Sequence, residues 1–242
     1  MTSHDEDGGP AAYASPACFM HEVDPAYMGF DKAADPHERT DVMRWRKTER
    51  ERLIKERLAI PADVRRRYGE QIAARLEKAI GDVTGVIISA YWPFRGEPDL
   101  RPLLERVVAR GGRTALPVVI ARGEPLVFRT WAPGDPLERG VWNIPVPLSD
   151  AEVVVPNVVI APVVGFDPAC YRLGYGGGFF DRTLAAMSNK PQVFGVGYCQ
   201  AAIATIYPQP HDIAMNLVVT EDGVVSAATI NKRQDGALTA DG

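Results

Sequence analysis

Residues 172–182 read Arg172-Leu173-Gly174-Tyr175-Gly176-Gly177-Gly178-Phe179-Phe180-Asp181-Arg182. An apolar, strand-like run at 153–161 precedes them. A short helical stretch at 178–187 follows, and then another strand-like run at 192–198. Strand, glycine-rich turn, helix and strand are the repeating unit of parallel sheets covered on both faces. The same alternation extends outward. Residues 41–59 form a helical run. Pro61 and Asp63 open a second helix to about 80, with Val64, Ile72, Leu76 and Ile80 near helical spacing. Residues 83–92 read as a buried strand, 99–110 as an amphipathic helix closed by Gly111-Gly112, and 114–120, 126–131 and 217–220 as strands. The expected class is α/β with a largely parallel, covered sheet.

The turn at 172–182 also carries chemistry. Four glycines in five positions free the backbone of Cβ atoms, so N–H groups can converge on an anion, and the following helix N-terminus adds partial positive charge. Arg172 and Arg182 flank the loop and can clamp phosphate oxygens, and Asp181 can hold a magnesium ion against them. A P-loop is excluded because no GxxxxGK[ST] spacing is present. A dinucleotide fingerprint starting at Gly174 fails on bulky Phe179 and on the lack of an acid near Cys199. For the glycines alone, a strand-to-helix turn with solvated flanking charges explains the pattern equally well.

Composition bounds the rest. The 242 residues carry a net charge of −4 and 46% hydrophobic residues, enough for one sizeable core. The charge is uneven. Residues 1–40 hold eight acids and two bases, whereas the remainder, with 23 acids and 25 bases, carries about +2. That body suits an anionic small substrate and gives no reason to expect nucleic acid or membrane partners. Residues 1–40 read as an acidic, partly disordered extension; 41–230 as the folded domain; 231–242 as a flexible tail. In the extension Cys18, His21, Glu22 and His37 are metal-capable types, but a docking or solvated segment explains them more simply. Three cysteines (Cys18, Cys170, Cys199) without CxxC spacing, and a start without a signal peptide, point to the cytoplasm. His211 is the only histidine beyond residue 40, so serine- or cysteine-histidine catalysis is poorly supported.

The run at 172–182 matches throughout the pattern R-x-G-x-G-x-G-[YF]-[YF]-D, commonly followed by arginine, of the 5-formyltetrahydrofolate cyclo-ligase family. Four further segments resemble that family in order: Tyr91 to Asp99 (YWPFRGEPD), Val141 to Pro145 (VWNIP), Ala161 to Asp167 (APVVGFD) and His211-Asp212. The resemblance covers about residues 44–225. It implies a three-layer α/β/α domain with a mixed, largely parallel sheet, and the ATP- and magnesium-dependent conversion of 5-formyltetrahydrofolate to 5,10-methenyltetrahydrofolate. A monomer is expected, though no residue pattern bears on it.

By that resemblance Arg172, Leu173, Gly174, Tyr175, Gly176, Gly177, Gly178, Phe179 and Phe180 cradle ATP, with Arg172 and Asp181 catalytic and Asp181 and Asp212 at the metal. Glu97 grips the pterin, and Trp92, Phe94, Trp142 and Tyr175 wall the folate, although core packing explains each aromatic as well. The family's N-terminal lysine and the arginine four residues on reach ATP phosphates. Here Arg46 and Arg50 keep the spacing and Lys47 keeps the lysine chemistry, so the register stays open. Val146 and Asn216 depart from acids found in many relatives, which leaves a catalytically weakened nucleotide- or folate-binding regulator as the alternative. An enzyme on another sugar-phosphate or coenzyme A scaffold explains neither Glu97 nor the run at 172–182.

Overall fold

The computed structural model describes residues 36–227; the candidate metal types Cys18, His21 and Glu22, the side chain of His37 and the tail at 231–242 lie outside the described residues. The chain opens with two helices, α1 (Pro36–Ala59) and α2 (Ala62–Ile80). There follow β1 (Ile87–Ser89), α3 (Arg101–Ala109), β2 (Arg113–Val118), β3 (Val127–Thr130), and a small arm of β4 (Leu137–Arg139) and β5 (Pro145–Pro147). Then come β6 (Val153–Val154), β7 (Val158–Pro162), a hairpin of β8 (Gly165–Phe166) and β9 (Arg172–Leu173), α4 (Phe179–Ala186), β10 (Gln192–Val196), β11 (Leu217–Val219) and β12 (Val224–Val225).

Eight strands form one mixed sheet in the order β12-β11-β10-β7-β1-β2-β3-β6. Its five central strands are parallel, while β12, β3 and β6 join antiparallel at the edges. The side chains alternate as a pleat requires. On one face Ile88, Leu116, Val158, Ile160, Phe194, Val196 and Val219 pack with Ile72 and Leu76 of α2 and Leu103, Leu104 and Val107 of α3. On the other face Ala115 and Val159 pack with Phe128, Val154 and Phe180, and Val193 and Val218 pack with Leu184 of α4. Helices on both faces make the three-layer α/β/α fold that was expected. Among the described residues no helix is long and apolar enough to cross a membrane.

Three expectations change. The run at 153–161 is not one strand: β6 lies at the far edge and β7 in the middle of the sheet. Pro156 has no N–H to offer a ladder, and Asn157 starts β7 afresh by accepting the Ile87 N–H on its side-chain Oδ1 at 2.8 Å. The run at 83–92 contributes only Ile87–Ser89 to the sheet, because Gly85 turns the chain at φ +69°. The helix expected from Asp41 begins at Pro36; proline is well tolerated in a first turn, where its missing N–H has no partner to lose.

The order of connections fixes where a ligand can sit. From β1 the chain moves through α3 to β2 on one side, and from β7 through α4 to β10 on the other. The carboxyl ends of β1 and β7 are therefore adjacent strand ends whose loops diverge, which is where open α/β sheets place their binding crevice.

Candidate active site

The loops leaving β1, β7 and β10 hold the residues that the sequence singles out, and α1 ties them together. α1 has little apolar surface to offer. Among its described side chains the buried apolar ones are Leu53 and Ile54, with Arg46 and Arg57 also buried on either side of them. Arg46, Arg50 and Arg57 follow one another at helical spacing, and each reaches a different loop. Arg46 donates to the carbonyls of Ile206 (2.9 Å) and Tyr207 (2.8 Å) and pairs with Asp212. Arg50 donates its Nε–H to the Gly174 carbonyl at 2.6 Å. Arg57 donates to the Arg95 carbonyl (3.0 Å), the Val163 carbonyl (3.4 Å) and the Tyr175 hydroxyl (2.5 Å). Lys47 is half-buried, one residue around the helix from Arg46. The basic register left open by the sequence thus brings Arg46 and Arg50 inward.

The glycine loop joins β9 to α4. Gly176 (φ +97°) and Gly178 (φ +61°) adopt left-handed backbone that a side chain would strain. Gly178 caps α4, so the loop delivers the chain directly into a helix N-terminus. The guanidinium of Arg50 lies against Gly176, where a Cβ would come within 3.4 Å of its carbon. Burial and the neighbouring Arg46 lower the Arg50 pKa to about 10, so it remains a cation near neutrality.

Arg172 is buried, its side chain 3% exposed, and donates from Nη2 to Asp181 Oδ2 at 2.8 Å. Its guanidinium lies over the Phe180 ring at 5.3 Å. Burial lowers its pKa, against the charges of Asp181 and Asp212. The other Asp181 oxygen accepts the Ile213 N–H at 3.2 Å, which puts the His211-Asp212 loop beside the glycine loop. Arg182 donates to the Gly177 carbonyl and lies over Phe179 at 5.3 Å. Two buried cationic atoms remain without a hydrogen-bond partner among the described residues, Arg172 Nη1 and Arg182 Nε. Buried donors without partners are costly unless something else meets them. Five arginines here face three carboxylates (Glu97, Asp181, Asp212), an excess of positive charge that suits polyanions.

Glu97 stands at the turn after β1, 2% exposed. Arg95 (φ +49°) and Gly96 (φ +79°) make that turn. Glu97 Oε1 accepts the Tyr175 hydroxyl at 2.8 Å, Oε2 accepts the Phe94 N–H at 2.9 Å, and Arg57 is 4.0 Å away. Burial outweighs these partners and pushes its pKa up to about 7. The buried protonated form is then favoured by folding, so stability is full below about pH 4.5 and falls as pH rises through 7. The shift corresponds to at most about 3 kcal/mol. Glu97→Gln, which cannot ionise, is expected to lose less melting temperature than wild type between pH 5 and pH 8; equal losses would place the titration elsewhere.

The remaining singled-out residues divide. Phe94 meets Tyr175 edge-on at 6.0 Å, and Trp142, 43% exposed on the turn between β4 and β5, meets Phe179 at 6.0 Å. Both therefore stand beside the glycine loop. Trp92 instead packs on Trp131 (5.8 Å) and under Arg101 (5.0 Å). Leu173 is a core residue among Leu53, Ile54, Val164 and Ile206. The two departures from the family pattern have structural uses: Val146 is buried, and Asn216 Oδ1 accepts the Val193 N–H at 2.6 Å, joining β10 to β11. Sequence reading missed Arg57. The available signal was its spacing, four and three residues on from the buried Leu53 and Ile54 and seven from Arg50.

Comparison with known proteins agrees with this fold. Residues 42–221 match the family model described as the 5-formyltetrahydrofolate cyclo-ligase family. A 5-formyltetrahydrofolate cyclo-ligase of Mycolicibacterium smegmatis is 32% identical over 184 residues, covering 72% of this chain and 93% of the relative. That of Escherichia coli K12 is 31% identical over 175 residues, covering 69% and 96%. Among solved structures, the NMR structure of Aquifex aeolicus 5,10-methenyltetrahydrofolate synthetase superposes with a TM-score of 0.66 at 26% identity, over 75% of this chain and 92% of that one. A 5,10-methenyltetrahydrofolate synthetase from Mycoplasma pneumoniae, at 18% identity and a TM-score of 0.61 over 73% of this chain and 98% of that one, shares the fold. With the glycine loop and Glu97 brought together beyond the carboxyl ends of β1 and β7, and a match that runs from α1 past the end of β11, this chain belongs to the 5-formyltetrahydrofolate cyclo-ligase family.

Proposed function

We propose that this protein converts 5-formyltetrahydrofolate and ATP to 5,10-methenyltetrahydrofolate, ADP and phosphate. One observation carries the reading: two buried arginine nitrogens without partners among the described residues, on Arg172 and Arg182, flank a glycine loop that ends at a helix N-terminus. Phosphate oxygens satisfy those donors. Arg50 and Arg46, with Lys47, add charge from α1, while Leu173, Phe179 and Phe180 fix the loop's two ends. Glu97 accepts the donor edge of the pterin in its ionised form, with Phe94, Tyr175 and Trp142 as apolar walls and Trp92 behind them.

The residues fit magnesium in one way. Among the described residues no group of three or more His, Cys, Asp or Glu side chains could hold a metal ion alone. Magnesium is commonly held by one or two carboxylates together with substrate phosphates, and Asp181 offers one, with Asp212 next to it. When bound, the ion neutralises charge on the phosphates. The formyl oxygen attacks the γ-phosphorus and ADP leaves, giving a phosphorylated imidate. Nitrogen 10 then attacks the imidate carbon, and as the ring closes the carbon–oxygen bond breaks and phosphate leaves, taking up the proton that nitrogen 10 gives up. No protein nucleophile is needed, so this chain's residues act by positioning and by stabilising charge.

The test is a spectroscopic assay for methenyl product from 5-formyltetrahydrofolate, ATP and magnesium; no product, or product without ATP, would overturn the proposal. Glu97→Gln is expected to weaken 5-formyltetrahydrofolate binding at least ~10-fold, about 1.4 kcal/mol, while barely changing binding of an ATP analogue. Equal losses for both ligands would remove Glu97 from the folate site.

A further inference from the structure

The triad of Arg57, Tyr175 and Glu97 spans both halves of the site. Tyr175 is a residue of the glycine loop, Glu97 belongs to the turn after β1, and Arg57 comes from α1. The Tyr175 hydroxyl is used in both directions: it donates to Glu97 Oε1 at 2.8 Å and accepts from Arg57 Nη2 at 2.5 Å. Arg57 also holds the backbone on each side, through the Arg95 carbonyl next to Glu97 and the Val163 carbonyl at the exit of β7. A second bond from Tyr198, whose hydroxyl donates to the Gly96 carbonyl at 3.1 Å, steadies the same turn. All three triad side chains are at least half-buried, so the triad is a fixed structural link and not a surface contact.

We propose that Arg57 is a positioning residue that couples the two substrate sites, so that 5-formyltetrahydrofolate and ATP each tighten the binding of the other. This rests on the reading given under Proposed function. Each Glu97 oxygen now accepts one hydrogen bond and has a second lone pair to offer a pterin donor. A ligand donating to Glu97 favours its ionised form. An ionised carboxylate strengthens the bond from the Tyr175 hydroxyl, because charge-assisted hydrogen bonds are the stronger class. Tyr175 then holds the glycine loop in the shape that receives phosphates. The link runs equally in reverse, as coupling between two binding equilibria must.

The experiment is calorimetric titration of the full chain with magnesium. 5-Formyltetrahydrofolate is titrated in the absence and presence of a non-hydrolysable ATP analogue, and the analogue with and without folate. Wild type is expected to show a mutual enhancement of ~5-fold or more, within the usual range of coupling. Arg57→Gln and Tyr175→Phe are expected to reduce it to less than about twofold, while Arg57→Lys retains an intermediate value. Tyr175→Phe keeps the ring and removes only the hydroxyl, so it remains informative should Arg57→Gln fold poorly. A purely structural role would lower the melting temperature of the variants and leave the enhancement intact. No enhancement in wild type, or an undiminished one in Tyr175→Phe, overturns the proposal. Failure of wild type to bind 5-formyltetrahydrofolate at all would instead overturn the functional reading on which it rests.

Discussion

Arg172→Ala is expected to lower turnover roughly 10²–10³-fold, the usual loss when one preorganised charge stabiliser is removed from a transition state. Arg172 is the only arginine of the site that contacts the candidate magnesium carboxylate Asp181 and also keeps a buried nitrogen unpartnered among the described residues. Its two ends therefore meet two different parts of a bound nucleotide. The alanine variant leaves Asp181 with the Ile213 N–H, and the carboxylate side chain, 17% exposed, can recruit water. The fold should survive. Rates of methenyl formation, taken where melting curves show wild type and variant both folded, decide the matter. A loss of less than about tenfold would mean that phosphate is not held here. Asp181→Ala is expected to lose turnover to a similar extent, but it strands the buried Arg172 guanidinium and should lower the melting temperature as well.

The second large effect is on stability. Asp212 and Arg46 form a pair whose side chains are 8% and 7% exposed. Both Asp212 oxygens accept from Arg46, and one also accepts the Gln209 N–H at 2.6 Å. Removing one member of a buried pair leaves the other charge uncompensated, at a cost of ~3–5 kcal/mol. The charge left behind would be a guanidinium whose neighbour on the same helix face is another, Arg50. Asp212→Ala should therefore lower the melting temperature by roughly 10 °C in a domain of this size. A metal-binding role alone predicts something else: an unchanged melting temperature and a raised magnesium requirement. Thermal melting with a magnesium titration of the rate separates the two.

These residues also mark what the sequence could and could not reveal. The glycine loop was legible because its constraint is local: left-handed backbone at Gly176 and Gly178 needs glycine whatever surrounds it. The layered α/β class was legible for the same reason, since each strand and helix carries its own period. Strand order was not. Nothing local in 153–161 says that Val153–Val154 and Val158–Pro162 belong to opposite regions of one sheet. Arg57 was invisible because an arginine on a polar helix ordinarily lies in water, and only the arrival of Glu97 and Tyr175 makes a buried one tolerable. Asp212 was read as a metal neighbour from the resemblance of His211-Asp212 to the family's closing acidic segment. The partner that occupies it, Arg46, is 166 residues earlier in the chain.

That separation bears on how the protein comes into being. Among the described elements α1 leaves the ribosome first, yet the carbonyls and the carboxylate that receive Arg46 belong to residues 206, 207 and 212. A nascent chain can pack α2 and α3 on β1 and β2 long before those residues exist. During that interval α1 has an inward stripe of arginines and little greasy surface with which to wait on the core. The helix that ties together the loops of the candidate site is thus the first of the described elements to be made, and a chain released before residue 206 offers Arg46 none of these three partners.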